Sequence, residues 1–110
     1  MLVKAIHRFL IVSLVAIVIA ACATAPPVQE MSDARQAIAA AREAGAAERV
    51  PAMLQEAEAH LSSAEVYLSR GDNSPNWSFA RRDARAAKQI ALDAMLRSRD
   101  ARELENNSPQ

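Results

Sequence analysis

Apolar and polar positions follow two regimes along this chain. Over residues 9–21 the chain is apolar except at Ser13, with no face distinguished from another. From Gln29 onward apolar residues return every third or fourth position, the spacing of a single stripe along an α-helix. Leu54, Ala57, Leu61, Ala64 and Leu68 form one stripe, and Trp77, Ala80, Ala84, Ala87, Ala91, Ala94, Ser98 and Ala101 form another. Met31, Ala34, Ile38 and Ala41 carry the same pattern upstream. Propensity agrees with periodicity, because β-branched residues after Cys22 reduce to Thr24, Val28, Ile38, Val50, Val66 and Ile90. The predicted class is all-α.

Punctuation divides the periodic region into three predicted helices. The first runs from about residue 29 or 32 to 44, with Gly45 in the C′ position, where a left-handed residue closes a helix. Pro51 suits the first turn of the second, which needs no N–H there; that helix reaches about Arg70, and Gly71 ends it. Ser74 or Asn76 is the predicted N-cap of the third, which runs to about Leu104. A short loop makes the second and third antiparallel neighbours. Met53, His60 and Tyr67 repeat every seven residues beside the leucine stripe and form the expected seat for the first helix. Glu56, Glu58 and Glu65 are expected to face Arg81, Arg82, Arg85 and Lys88. The third helix outlasts the second, so the segment from Leu96 to Leu104 should overhang. The expected architecture is a signal helix, a proline-containing tether and a three-helix antiparallel alanine-rich bundle with a long third helix.

The N-terminal regime reads differently. Lys4 and Arg8 precede the apolar run, and small residues end it, as in a secretory signal peptide. The run is shorter than the about 20 apolar residues a membrane span requires. Ile19-Ala20-Ala21-Cys22 resembles the lipobox of bacterial lipoproteins. That resemblance implies diacylglycerol on Cys22, cleavage before it, and acylation of the new amino terminus. The chain's only Cys stands there, so no internal disulfide is available. With Ala23 rather than Asp next, analogy with Gram-negative sorting favours the periplasmic face of the outer membrane over the inner membrane. Residues 1–21 are then a signal peptide, 22–29 a lipidated tether stiffened by Pro26 and Pro27, 30–105 the helical domain and 106–110 a disordered tail. Removal of 1–21 takes two of the 13 Lys and Arg and none of the 13 Asp and Glu. A net charge of about −2 leaves no basic footprint for nucleic acid.

The run DARQAIAAAREAGA over residues 33–46, followed by Pro51, the Leu/Glu/Ala helix and Arg70-Gly71-Asp72, resembles an alanine-rich lipoprotein domain of unknown function. Such domains often stand beside OmpA-like peptidoglycan-binding proteins or are fused to them. The likeness covers about residues 30–100, departing at 47–50 and at 73–78. It implies an envelope setting and no catalytic residues.

Candidate chemistry changes this picture little. Catalysis needs converging polar groups, whereas His60 has no carboxylate or Ser at a characteristic spacing, and Glu56 and Glu58 cannot share a helical face. No phosphate loop or metal-ligand cluster is present in the pattern, so no catalytic residue, metal or cofactor is expected. Tyr67, Trp77 and Phe79 gather at one loop, where they are expected to plug the hairpin end. Arg81, Arg82, Arg85 and Lys88 are expected to be solvated or paired within the chain. Leu92, Met95 and Leu96 lie off the alanine stripe and are the candidate partner contact. The expectation is a membrane-tethered interaction or structural module, binding an OmpA-like protein or itself. The alternatives are a non-covalent peptidoglycan spacer and a regulator of an envelope enzyme.

Overall fold

The computed structural model describes residues 1–23, 25–71 and 74–109, with side chains described for all of these except residues 18–23 and 74. Every element among them is helical: α1 (Leu2–Ala23), α2 (Val28–Glu43), α3 (Ala46–Arg49), α4 (Pro51–Ser69) and α5 (Ser74–Asn107). The fold is all-α, a helical bundle with a long leading helix.

Local chemistry sets the boundaries. Gly45 closes α2 with φ +90°, its N–H donating to Arg42 O at 3.0 Å. The next four residues form the single turn α3, absent from the sequence-based expectation. Glu48 and Arg49 donate back to Gly45 O, and Val50 donates to Ala46 O. The turn cannot continue, because a residue before proline is pushed out of the helical region; Val50 takes φ −140°, ψ 55°. Pro51 then opens α4, as its sequence position predicts. Helix α5 already includes Ser74, so both Ser74 and Asn76, the expected caps, lie inside its first turn.

The stripes read from the sequence form the core. Ala80, Ala84, Ala87, Ala91, Ala94 and Ser98 of α5 are fully buried, as are Ala34 and Ala41 of α2 and Ala57 and Ala64 of α4. Helices α2 and α4 both pack along α5. Ion pairs show the directions. Arg35 meets Glu65 and Arg42 meets Glu58, so α2 rises as α4 falls. Glu30 meets Arg81 and Asp33 meets Lys88, so α2 and α5 rise together.

Several expectations are corrected here. Although Met53 packs on the cluster shared by α2, α4 and α5, the first helix is not seated along the line that Met53 makes with His60 and Tyr67. Its groove against α4 is lined by Glu58, Leu61 and Glu65, on the opposite flank of the leucine stripe, while His60 and Tyr67 face α5. Glu58 and Glu65 of α4 consequently pair with arginines of α2 rather than with α5, while Arg81, Arg85 and Lys88 of α5 turn to Glu30 and Asp33 and Arg82 to Asp83. A third helix carrying both signs of charge interposes on that side. The expected overhang is also gripped from below: Arg49 of α3 binds Glu105 at 2.8 Å, and Arg102 donates to Ala44 O at 2.9 Å.

The tether is shorter than its sequence suggests. Pro27 is fully buried, α2 begins one residue later, and Arg81 Nη2 donates to Ala25 O at 2.6 Å. Helix α1, by contrast, exposes every described side chain from Met1 to Ile17 and packs substantially against no other helix. The molecule is elongated as a result, with a radius of gyration of 20.9 Å and extents of 80 × 36 × 14 Å. A compact chain of this length would have a radius of about 13 Å.

Candidate functional site

The lipobox residues Ile19, Ala20, Ala21 and Cys22 belong to the last turns of α1 by backbone, and their side chains lie outside the described residues. No helix among the described residues is long and apolar enough to cross a membrane. The chain leaves α1 at Ala23 and is held again from Ala25, where Arg81 grips its carbonyl. The site of expected lipidation therefore adjoins one particular end of the bundle.

That end carries the aromatic residues. Tyr67 stands two residues before the end of α4, and Phe79 follows the start of α5 by five positions, about 7.5 Å of helical rise. Their rings stack with centroids 5.1 Å apart and planes at 29°. Each outer flank of this pair meets a cation: Arg70 lies 5.4 Å from the Tyr67 centroid and Arg82 lies 5.3 Å from that of Phe79. The expected plug is thus a half-open stack, because Phe79 remains 42% exposed. Trp77 is half-buried beside it in sequence, and a shallow groove lined by Pro26, Val28, Met31 and Leu68 opens where the tether meets α2.

Between α4 and α5 lies a polar cluster that the sequence did not announce. Asp83 is 5% exposed; Ser63 Oγ donates to its Oδ2 at 2.6 Å, and Arg82 donates to its Oδ1 at 3.2 Å. His60 Nδ1 stands 3.7 Å from the same Oδ1. Burial alone would raise the Asp83 pKa, but the Ser63 hydrogen bond, the Arg82 charge and His60 outweigh it and hold the carboxyl below its ordinary value. The residue types are those of a hydrolytic triad, but their order is not. A triad histidine lies between its serine and its carboxylate, whereas here Ser63 bonds Asp83 directly and the carboxylate is spent on a structural tie. Among the described residues, no group of three or more His, Cys, Asp or Glu is placed to hold a metal ion.

The basic face is paired within the chain. Arg81 Nε lies 2.9 Å and Arg85 Nη2 3.6 Å from Glu30, and Lys88 Nζ lies 3.3 Å from Asp33. Gln29 and Lys88 hydrogen-bond Asp33 and lower its pKa. The candidate contact surface divides. Leu92 and Met95 are half-buried and pack on the cluster of Ala37, Ile38, Ala41, Leu54, Ala91 and Ala94, whereas Leu96 is 53% exposed. Only Leu96 of the three is open to a partner. Comparison with protein-family models, curated proteins and solved structures returned no match.

Proposed function

We propose that the chain is a lipid-anchored helical module of a Gram-negative envelope, held at the periplasmic face of the outer membrane through Cys22 and acting by binding rather than by catalysis. The carrying observation is positional. Cys22 ends an apolar leader immediately after Ile19-Ala20-Ala21, and a packed helical domain begins only a few residues beyond it. An acyl chain contributes about 0.8 kcal/mol per buried CH₂, so the two or three chains implied by the lipobox likeness would hold the protein on a bilayer permanently.

The three long helices then make one antiparallel bundle, up, down and up, in which α5 is the spine. The resemblance to alanine-rich lipoproteins supports an OmpA-like protein as the partner, and the exposed apolar edge on α5 equally suits a second copy. Leu96 supplies the exposed apolar anchor on the α5 side. Mass spectrometry of the protein purified from its host is expected to show a diacylated or triacylated N-terminal cysteine. A Cys22→Ser chain should retain its leader and lose that mass. An unmodified Cys22 in the native chain would remove the proposal. Crosslinking from Leu96 in living cells, with Leu92 as the half-buried control, tests the partner surface separately.

A further inference from the structure

The tether, the buried proline and the aromatic stack meet at one end of the bundle. Ala25 follows Cys22 by three positions, a reach of at most about 11 Å even when fully extended. Arg81 holds the Ala25 carbonyl, and Pro27 is buried, so no slack is available beyond that point. Chains of lipid on Cys22 would therefore bring this end of the bundle to within about one Debye length of the headgroups. Among the described residues, the acids near that end are engaged: Glu30 by Arg81 and Arg85, Glu65 by Arg35, and Asp83 within its cluster. Arg70 is exposed over the Tyr67 ring, and Arg82 keeps 62% of its side chain open beside Phe79. Apolar surface is exposed at the same end, at Val28 (73%) and Phe79 (42%).

We propose that this end of the bundle, carrying Arg70, Tyr67, Trp77, Phe79 and Arg82, rests directly on a phospholipid surface. Aromatic side chains have an apolar body and a polar or polarisable edge, which suits them to headgroup depth. Guanidinium groups beside them match lipid phosphates by charge and by geometry. The domain stands on the bilayer by its tethered end instead of trailing from a spacer. The proposal rests on lipidation of Cys22, and its test separates the two.

Trp77 is the chain's only tryptophan and reports the contact by itself. The native lipidated chain is reconstituted into phosphatidylcholine vesicles containing some phosphatidylglycerol, with a spin-label quencher at headgroup depth. Trp77 emission is expected to shift to the blue and to be quenched. A chain carrying Trp77→Phe and Leu104→Trp moves the probe about 40 Å along α5, to a position 71% exposed, and should be quenched several-fold less. Arg70→Glu with Phe79→Ser should halve the Trp77 quenching or more, with vesicle flotation and helical circular dichroism unchanged. Equal quenching at both positions would mean a bundle lying flat and would overturn the proposal. A chain that floats with Trp77 unquenched overturns the docking and leaves the anchor standing. A native chain that does not float removes the anchor and this proposal with it.

Discussion

Asp83 shows how a single side chain can matter out of proportion to its visibility. Its carboxylate is nearly enclosed between α4 and α5 and is tied to Ser63, Arg82 and His60. Asp83→Ala would leave the Ser63 hydroxyl without its acceptor and His60 facing a void, a change expected to cost about 1–3 kcal/mol. Ser63→Ala should cost about 1 kcal/mol. Chemical denaturation at neutral pH checks both. The sign of the acid effect follows from the lowered pKa. The group's contribution is complete above its unfolded value of 3.8 and is lost as pH falls through the lower folded value. Asp83→Asn should therefore narrow its stability gap to the parent protein as pH drops below the ordinary carboxylate range, and a constant gap across that range would refute the assignment. None of this was legible in the sequence. Asp83 flanks the alanine stripe of α5, and His60 flanks the leucine stripe of α4. Whether two flanking residues meet depends on the rotation of one helix against the other, which periodicity along a single helix does not contain.

At the scale of elements, the stripes were legible because alanine and leucine at three- and four-residue spacing leave one face to bury, and the buried alanines of α5 are the ones that spacing selects. Their smallness is a constraint in its own right. Ala87 is fully enclosed in the cluster with Met31, Ala34, Ala64, Ala80 and Ala84, so Ala87→Leu must force α2 or α4 away from α5. Overpacking of this kind costs about 1–3 kcal/mol, and a lowered thermal midpoint with helical content intact is the expected reading. The turn α3 was not legible, since four good helix formers between Gly45 and Val50 look like loop until their hydrogen bonds are placed. Gly45 is its hinge. At φ +90° a side chain is strained, and a Cβ there would run into the Arg49 guanidinium that reaches Glu105. Gly45→Ala is expected to lose about 1–2 kcal/mol. Adding Glu105→Gln should cost little more, because the first change already displaces Arg49; additive losses would show that the corner is not a unit.

For the whole molecule, the boundary between anchor and domain is the feature that sequence and structure place differently. Pro26-Pro27 reads as an extended spacer because proline fixes φ and removes a donor, and composition gives no hint that the second ring is buried. In the fold, Pro27 O accepts from Met31 N at 3.0 Å, and Ala25 O accepts from Arg81 at 2.6 Å, so the domain begins before its first predicted helix. Truncation measures this directly. A chain beginning at Ala23 keeps both ties, whereas one beginning at Gln29 loses the buried ring and the charge-assisted hydrogen bond. Burial of a side chain of that size contributes about 1.5 kcal/mol, and a hydrogen bond to a charged group contributes about as much. The shorter chain should thus be less stable by about 2–3 kcal/mol, a drop of about 10 °C or more in Tm for a domain this small. Arg81→Gln in the longer chain should reproduce only part of that loss, because Pro27 would stay buried. If the two truncations melted together, Ala25 and Pro27 would be passengers of the leader, and the bundle would hang from a free spacer as the prolines alone suggest.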